Sequence, residues 1–219
     1  MDGPDQSDLA EEQRLAIAYS PGSMRPALAS LFAFDRRMAQ IVAKTTEPLL
    51  GQMRLAWWRD ILGMPVSVPP AGDAVLDALG RHWTGREREL VAMVDGWEIL
   101  LPGEMLTRNQ MQEFGEGRAA PFGALRQADG QAAEERVAAA AFHWALADAA
   151  AHSADARERA AFVETGLARL AIRGSIEPGL RGLAVLQALA LRALSRGGRP
   201  LLEGRGAALV ALRAGLLGR

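Results

Sequence analysis

RPALASLFAFDRRMAQIVAKTTEPLLGQMRLAWWRDIL, residues Arg25 to Leu62, decides the fold of this chain. Apolar residues fall at Leu28, Leu31, Phe32, Met38 and Val42, then at Leu50, Met53, Leu55, Trp57, Trp58, Ile61 and Leu62. That spacing suits a helical period of about 3.6 residues and not the alternation of a strand. Thr46, Glu47 and Pro48 divide the stretch, Thr46 as a candidate N-cap and Pro48 as a first-turn residue, so it reads as a helical hairpin. Trp57 and Trp58, adjacent on a helix, cannot both face inward; one belongs to the core and the other to a cavity or helix interface.

Outward from the hairpin the pattern stays helical. A flexible start, MDGPDQ, leads into a helix from about Ser7 to Tyr19, with Ser7 as its cap and Asp8, Glu11 and Glu12 favouring its first turns. Ser20, Pro21 and Gly22 break it. After Leu62, GMPVSVPPAGD is a loop, and Asp73 starts a short helix to about His82. Further helices are expected over Arg86 to Leu101, Asn109 to Ala119 with Pro121 beyond it, Gln131 to His152, Ala154 to Arg173, Pro178 to Ser195 and Leu201 to Leu217. No strand signal competes with these, so the expected class is all-α. Residues 1–219 are long enough for one domain with a sizeable core.

Composition narrows the function classes. There is no cysteine, hence no disulfide and no thiolate metal site. A formal charge of -1 and a pI near 6.3 give no reason to expect nucleic-acid binding. The acidic, polar start is unlike a secretory signal and no apolar run spans a bilayer, so a soluble, cytoplasmic protein is expected, with contact at the inner face of the membrane as a further option. No serine-hydrolase elbow, phosphate loop or dinucleotide fingerprint occurs. His143, Asp148 and His152 do not share one helical face, and Asp148 with His152, four residues apart, reads as a surface pair.

The decisive stretch also resembles the N-terminal core of the squalene/phytoene synthase family. There an Arg-x-Ala-Leu helix leads through Tyr-Ala-Phe-x-Arg into Asp-Asp-x-x-Asp, and a following helix ends in Arg-Leu-x-Trp-Trp-Arg-Asp. Arg25, Ala27, Leu28, Phe32, Ala33, Phe34, Arg36, Arg54, Leu55, Trp57, Trp58, Arg59 and Asp60 match. The resemblance continues more weakly through VAMVDGWEILL, where Leu100 stands at an acidic position, and EFGEGRAAPFGAL, where Gly123 is kept. It implies a helical bundle of the isoprenoid-synthase type with a cavity between helices.

Such enzymes ionise a prenyl diphosphate with Mg²⁺, which asks for carboxylates at i and i+4 on one helical face. In register, the first aspartate motif falls on Ala39, Gln40 and Ala43, which cannot hold Mg²⁺. The second falls within Phe142 to Arg157, with Ala149, His152, Ser153 and Arg157 at its key positions. Asp35 is the nearest acid to the first motif and reads as a polar residue at the stripe edge paired with an arginine. The ligand-pocket candidates are Arg25, Phe32, Arg36, Ala39, Gln40, Ala43, Arg54 and Trp58, with no catalytic residue, no metal ligand and no cofactor. The arginines would hold diphosphate oxygens or bridge helices, with Glu47, Asp60 or Glu98 as partners.

The replacement of the aspartates by Ala and Gln is also similar to the branch of the family represented in mitochondria by an assembly factor of respiratory complex I. The leading expectation is a non-catalytic protein that binds a prenyl or lipid tail or a protein partner. The first alternative is a working head-to-head prenyl transferase, using Mg²⁺ with ligands that the motifs do not place; Asp35, Asp148 and Asp155 are the acids whose replacement by alanine would test it. The second is a peripheral membrane protein: Leu201, Leu202, Leu209, Leu212, Leu216 and Leu217 with Arg205, Arg213 and Arg219 make a basic amphipathic pattern, which can equally pack a helix on its bundle.

Overall fold

The computed structural model describes residues 7, 9–64 and 72–218; the expected MDGPDQ start, Asp8 and most of the loop after Met64 lie outside them. The described residues form ten α-helices and no strand, so the fold is all-α: α1 (Glu11–Tyr19), α2 (Arg25–Ala43), α3 (Pro48–Leu62), α4 (Ala74–His82), α5 (Glu87–Glu98), α6 (Arg108–Ala124), α7 (Gln131–His152), α8 (Ala156–Ala168), α9 (Arg181–Leu194) and α10 (Gly206–Leu217). A 3₁₀ turn, Pro178–Leu180, leads into α9.

Several boundaries follow the local chemistry. Asp73 caps α4 by accepting from the Val75 and Leu76 amides, and Thr107 caps α6 by accepting from the Gln110 amide. Pro48 opens α3, although Glu47 and not Thr46 is its N-cap and no side chain caps it. The first helix begins at Glu11, later than expected, and Ala10 takes the cap position. Pro121 lies inside α6 instead of beyond it. The helix continues because Pro121 and Phe122 are buried, and Phe122 stacks on Phe32 and Trp144. Packing there offsets the backbone hydrogen bond that proline removes.

Side by side, α5, α6, α7, α9 and α10 form a row, each packed on the next. α3 closes the α5 end of the row, α1 lies across α9, and α8 covers α7. α2 and α3 form the expected hairpin and meet through large side chains, with the Phe34 and Trp58 ring centroids 5.3 Å apart. Each also packs on a second element, α2 on α4 and α3 on α5, and Leu101, just after α5, fills the space beside Gly51, 2.3 Å from where a Cβ would sit. The central α7 buries Ala139, Ala140, Ala141, Ala145, Ala147 and Ala150, and these small faces let three neighbours approach closely.

Candidate functional site

At the centre of the row lies a buried arginine. α6 presents an apolar stripe, Met111, Phe114, Gly115, Ala119 and Phe122, and Arg118 falls within it at helical spacing. A guanidinium placed there must be neutralised and fully hydrogen-bonded. Its Nε and Nη2 donate to the two oxygens of Asp35 on α2 at 2.8 and 2.7 Å, and its Nη1 meets Asp148 of α7 at 2.7 Å. Trp97 donates its indole N–H to Asp35 at 2.9 Å. The Trp97 and Trp144 rings also flank the guanidinium, 4.8 and 4.2 Å from its carbon. Asp35 therefore pairs with an arginine, but a distant one, and from the middle of the core instead of a stripe edge.

The network reaches solvent through His152, whose Nδ1 is 3.3 Å from Asp148. Asp148 is not a surface residue; its side chain is 15% exposed. Burial works against its charge, but Arg118 and His152 outweigh that and hold its carboxyl at about 2. The hydrogen bond to Asp148 in turn raises His152 to about 9. Burial raises Glu12, which stands near Asp148 on the α1 side.

A titration of the imidazole signals by NMR should accordingly find His152 still protonated well above its ordinary 6.5, and Asp148→Asn should return it toward that value. A folded-state pKa raised in this way contributes stability that is complete below about pH 6.5 and lost as pH rises through about 9. The contribution is small, since the His152 side chain is 75% exposed and screened by water. An ordinary His152 pKa in the native chain would contradict the pairing.

Beside this network opens a cavity of about 520 Å³, within the range of about 300–1,000 Å³ usual for small-molecule sites. Ala39, Val42 and Ala43 of α2 form one wall, and Asp148, Ala149, His152 and Ser153 face them from the end of α7. Trp97, Leu100, Leu101 and Leu106 complete a largely apolar lining, with Phe162 from α8. Its charged groups are Glu104, Asp148 and Glu158 with His152; among the described residues no arginine or lysine lines it.

The eight sequence candidates separate accordingly. Ala39 and Ala43 line the cavity, and Gln40 beside them does not. Phe32 is fully buried, packed on Phe122 and Trp144, and Trp58 is in the core against Phe34. Arg25 donates to the Ser20 and Ala18 carbonyls at 2.9 and 3.2 Å and so closes the end of α1. Arg36 is half-buried and outside the cavity lining. Arg54 is exposed on a surface groove with Leu50, Met53 and Trp57. The expected inter-helix bridging falls to other arginines: Arg59 holds Asp95 and Glu98, and Arg37 holds Asp73. The Trp57–Trp58 division stands as expected, with Trp58 buried and Trp57 45% exposed.

Sequence reasoning passed over Arg118 although it lies in a segment singled out for its family resemblance. A lone arginine in the apolar stripe of a helix was the available signal. Arg118 pairs with both Asp35 and Asp148, so these two acids face a cation and not a shared metal position. Asp155 is elsewhere, capping α8 through the Arg157 and Glu158 amides. His143 is separate again: its Nε2 bonds the Arg169 carbonyl at 2.8 Å, and burial lowers its pKa.

Mg²⁺, which the sequence resemblance implies, does not fit this donor set. It asks for several hard oxygen ligands, whereas Ala39, Ala43, Leu100 and Ala149 present methyl groups and Asp148 is held by Arg118. Among the described residues no three His, Asp or Glu side chains converge as a metal site.

The described residues form an all-α bundle with a largely apolar cavity between α2 and α7, which agrees with the isoprenoid-synthase class that the sequence resemblance implies. The sequence profile of the squalene/phytoene synthase family matches residues 10–126, more than half of the 219-residue chain, and the chain belongs to that family. The match covers α1 to α6 and ends before α7. Comparison with curated proteins and with solved structures returned no match.

Proposed function

We propose that this squalene/phytoene synthase-like chain is a metal-independent binder of an apolar, prenyl-type ligand and does not carry out prenyl transfer. One observation carries the reading. Ala39 and Ala43 face Asp148 and His152 across a cavity of about 520 Å³, and Arg118 already neutralises Asp148. A diphosphate entering there would meet the acids Glu104, Asp148 and Glu158, with His152, already paired to Asp148, as the cation and no arginine or lysine among the described lining residues. A neutral tail meets leucine, alanine, tryptophan and phenylalanine.

The fuller form of the proposal is an assembly role of the kind held by the respiratory complex I assembly factor, whose branch the sequence resembles at Ala39, Gln40 and Ala43. In that role the loaded bundle docks on a protein partner. The outward face of α3 supports it: Leu49, Leu50, Met53 and Trp57 are exposed on one side of the helix, with Arg54, Gln52 and Asp60 exposed among them. Mixed polar and apolar surface of this sort suits a protein contact.

Thermal unfolding tests the binding step, since a ligand selective for the folded state raises its melting temperature. Farnesol and geranylgeraniol should raise it equally with Mg²⁺ and with chelator, and the corresponding diphosphates should raise it less. A rise with farnesyl or geranylgeranyl diphosphate that requires Mg²⁺, or turnover of either, would overturn the proposal and restore the prenyl transferase alternative.

A further inference from the structure

α10 packs on the bundle the wrong way round for a surface helix. Its buried residues are Ala207, Ala211, Ala214 and Gly215, while Leu209, Leu212, Leu216 and Leu217 are 70%, 48%, 66% and 47% exposed. Gly215 has no Cβ because the Tyr19 ring occupies that space, with Cε1 2.1 Å from where one would sit. An amphipathic helix ordinarily turns its large apolar side chains to the core. Here small residues make the close contact, and the leucines at i, i+3 and i+7 form a stripe on the open side.

The charge that α10 itself carries has one sign. Arg205 and Arg213 are exposed, and no acidic residue occurs from Gly204 to the end of the sequence. Among the described residues neither arginine makes an ion pair. A second copy of α10 laid on the first would bring Arg213 toward Arg213 with no carboxylate on the helix to relieve them. The α3 face differs, since it carries Asp60 within its stripe.

We propose that α10 lies flat on an anionic lipid bilayer, with Leu209, Leu212, Leu216 and Leu217 in the headgroup–acyl boundary and Arg205 and Arg213 at the lipid phosphates. Leucines and arginines on one open face are what such a surface recognises. Attachment is peripheral, because no helix of the described residues is long and apolar enough to cross a membrane. The inference rests on α10 alone and stands whether or not the cavity holds a ligand.

Flotation of the full chain with vesicles tests it. Phosphatidylcholine vesicles containing phosphatidylglycerol should carry the protein up the gradient, and added salt should weaken this; vesicles of phosphatidylcholine alone should carry much less. Leu209→Gln with Leu216→Gln, and separately Arg205→Glu with Arg213→Glu, should each reduce partitioning by about tenfold or more. These side chains are exposed, so circular dichroism should show both variants folded. Met53→Gln on α3 should partition like the native chain. Failure of the native chain to float with anionic vesicles would overturn the proposal, as would unchanged partitioning of both α10 variants. So would a concentration-dependent dimer abolished by the leucine substitutions, which would mean that a second copy covers α10.

Discussion

Arg118→Met should destabilise the protein by about 4 kcal/mol, since removing one partner from a buried ion pair strands the other charge. Here two carboxylates are stranded, Asp35 and Asp148, with side chains 2% and 15% exposed. The methionine also forfeits the stacking on Trp97 and Trp144. Against a total stability of about 5–15 kcal/mol, the loss is large, and urea unfolding will measure it directly. The pH dependence gives a second reading with a definite sign. In the native chain Asp148 is depressed from 3.8 to about 2, so its contribution is complete above about pH 3.8 and lost as pH falls through about 2. Without Arg118 the burial of Asp148 is opposed by His152 alone, so its carboxyl should rise from that value and the variant should lose less stability than the native chain as pH falls. A cost below about 1 kcal/mol and an unchanged pH profile would contradict the buried network. Replacing Asp35, Arg118 and Asp148 together by leucine or methionine should recover part of the loss, because an apolar trio leaves no unpaired charge.

Gly117→Ala should cost about 3 kcal/mol even though alanine is the better helix former. A Cβ on Gly117 would stand 2.6 Å from the Ala92 carbonyl oxygen and 2.9 Å from the Gly96 Cα. Both are backbone atoms of α5, so no rotamer change relieves the overlap, and α5 must separate from α6. That separation would carry Trp97 away from Arg118 and shift Leu100 and Leu101 at the cavity wall. Gly123→Ala, on the same helix, provides the contrast. Nothing lies within 4 Å of the added carbon, so the gain in propensity, about 0.5–1 kcal/mol, should appear as stabilisation. Denaturation of the two variants side by side will separate clash from propensity. Equal effects would mean that the α5–α6 contact is looser than described.

Much of this molecule was legible in one dimension. The 3.6-residue recurrence of apolar residues identified the helices, and at α7, Gln131–His152, the bounds agree with the structure. Two adjacent tryptophans had to divide between inside and outside because neighbours on a helix point about 100° apart. The alanines at 39 and 43 were also readable, as was their chemical consequence, since no fold turns a methyl group into a metal ligand.

Other features depend on what lies opposite a residue in space. Asp35 and Arg118 are 83 residues apart, and a charge in an apolar stripe says only that a partner is needed, not which one. Arg25, Arg36 and Arg54 matched their family positions, yet the packing leaves them outside the cavity. Gly51 is kept free of a side chain by Leu101, from a loop fifty residues on, which fills the space beside it. In α10 both faces are apolar, one of alanine and the other of leucine, so periodicity alone could not say which one meets the core. The close approach of Tyr19 to Gly215 decided it, and the leucines were left facing out. Local periodicity determines which elements form, because it is a property of the chain's own geometry. The choice of partner for each face, and therefore the character of the cavity and of the exposed surface, comes from contacts between segments distant in sequence.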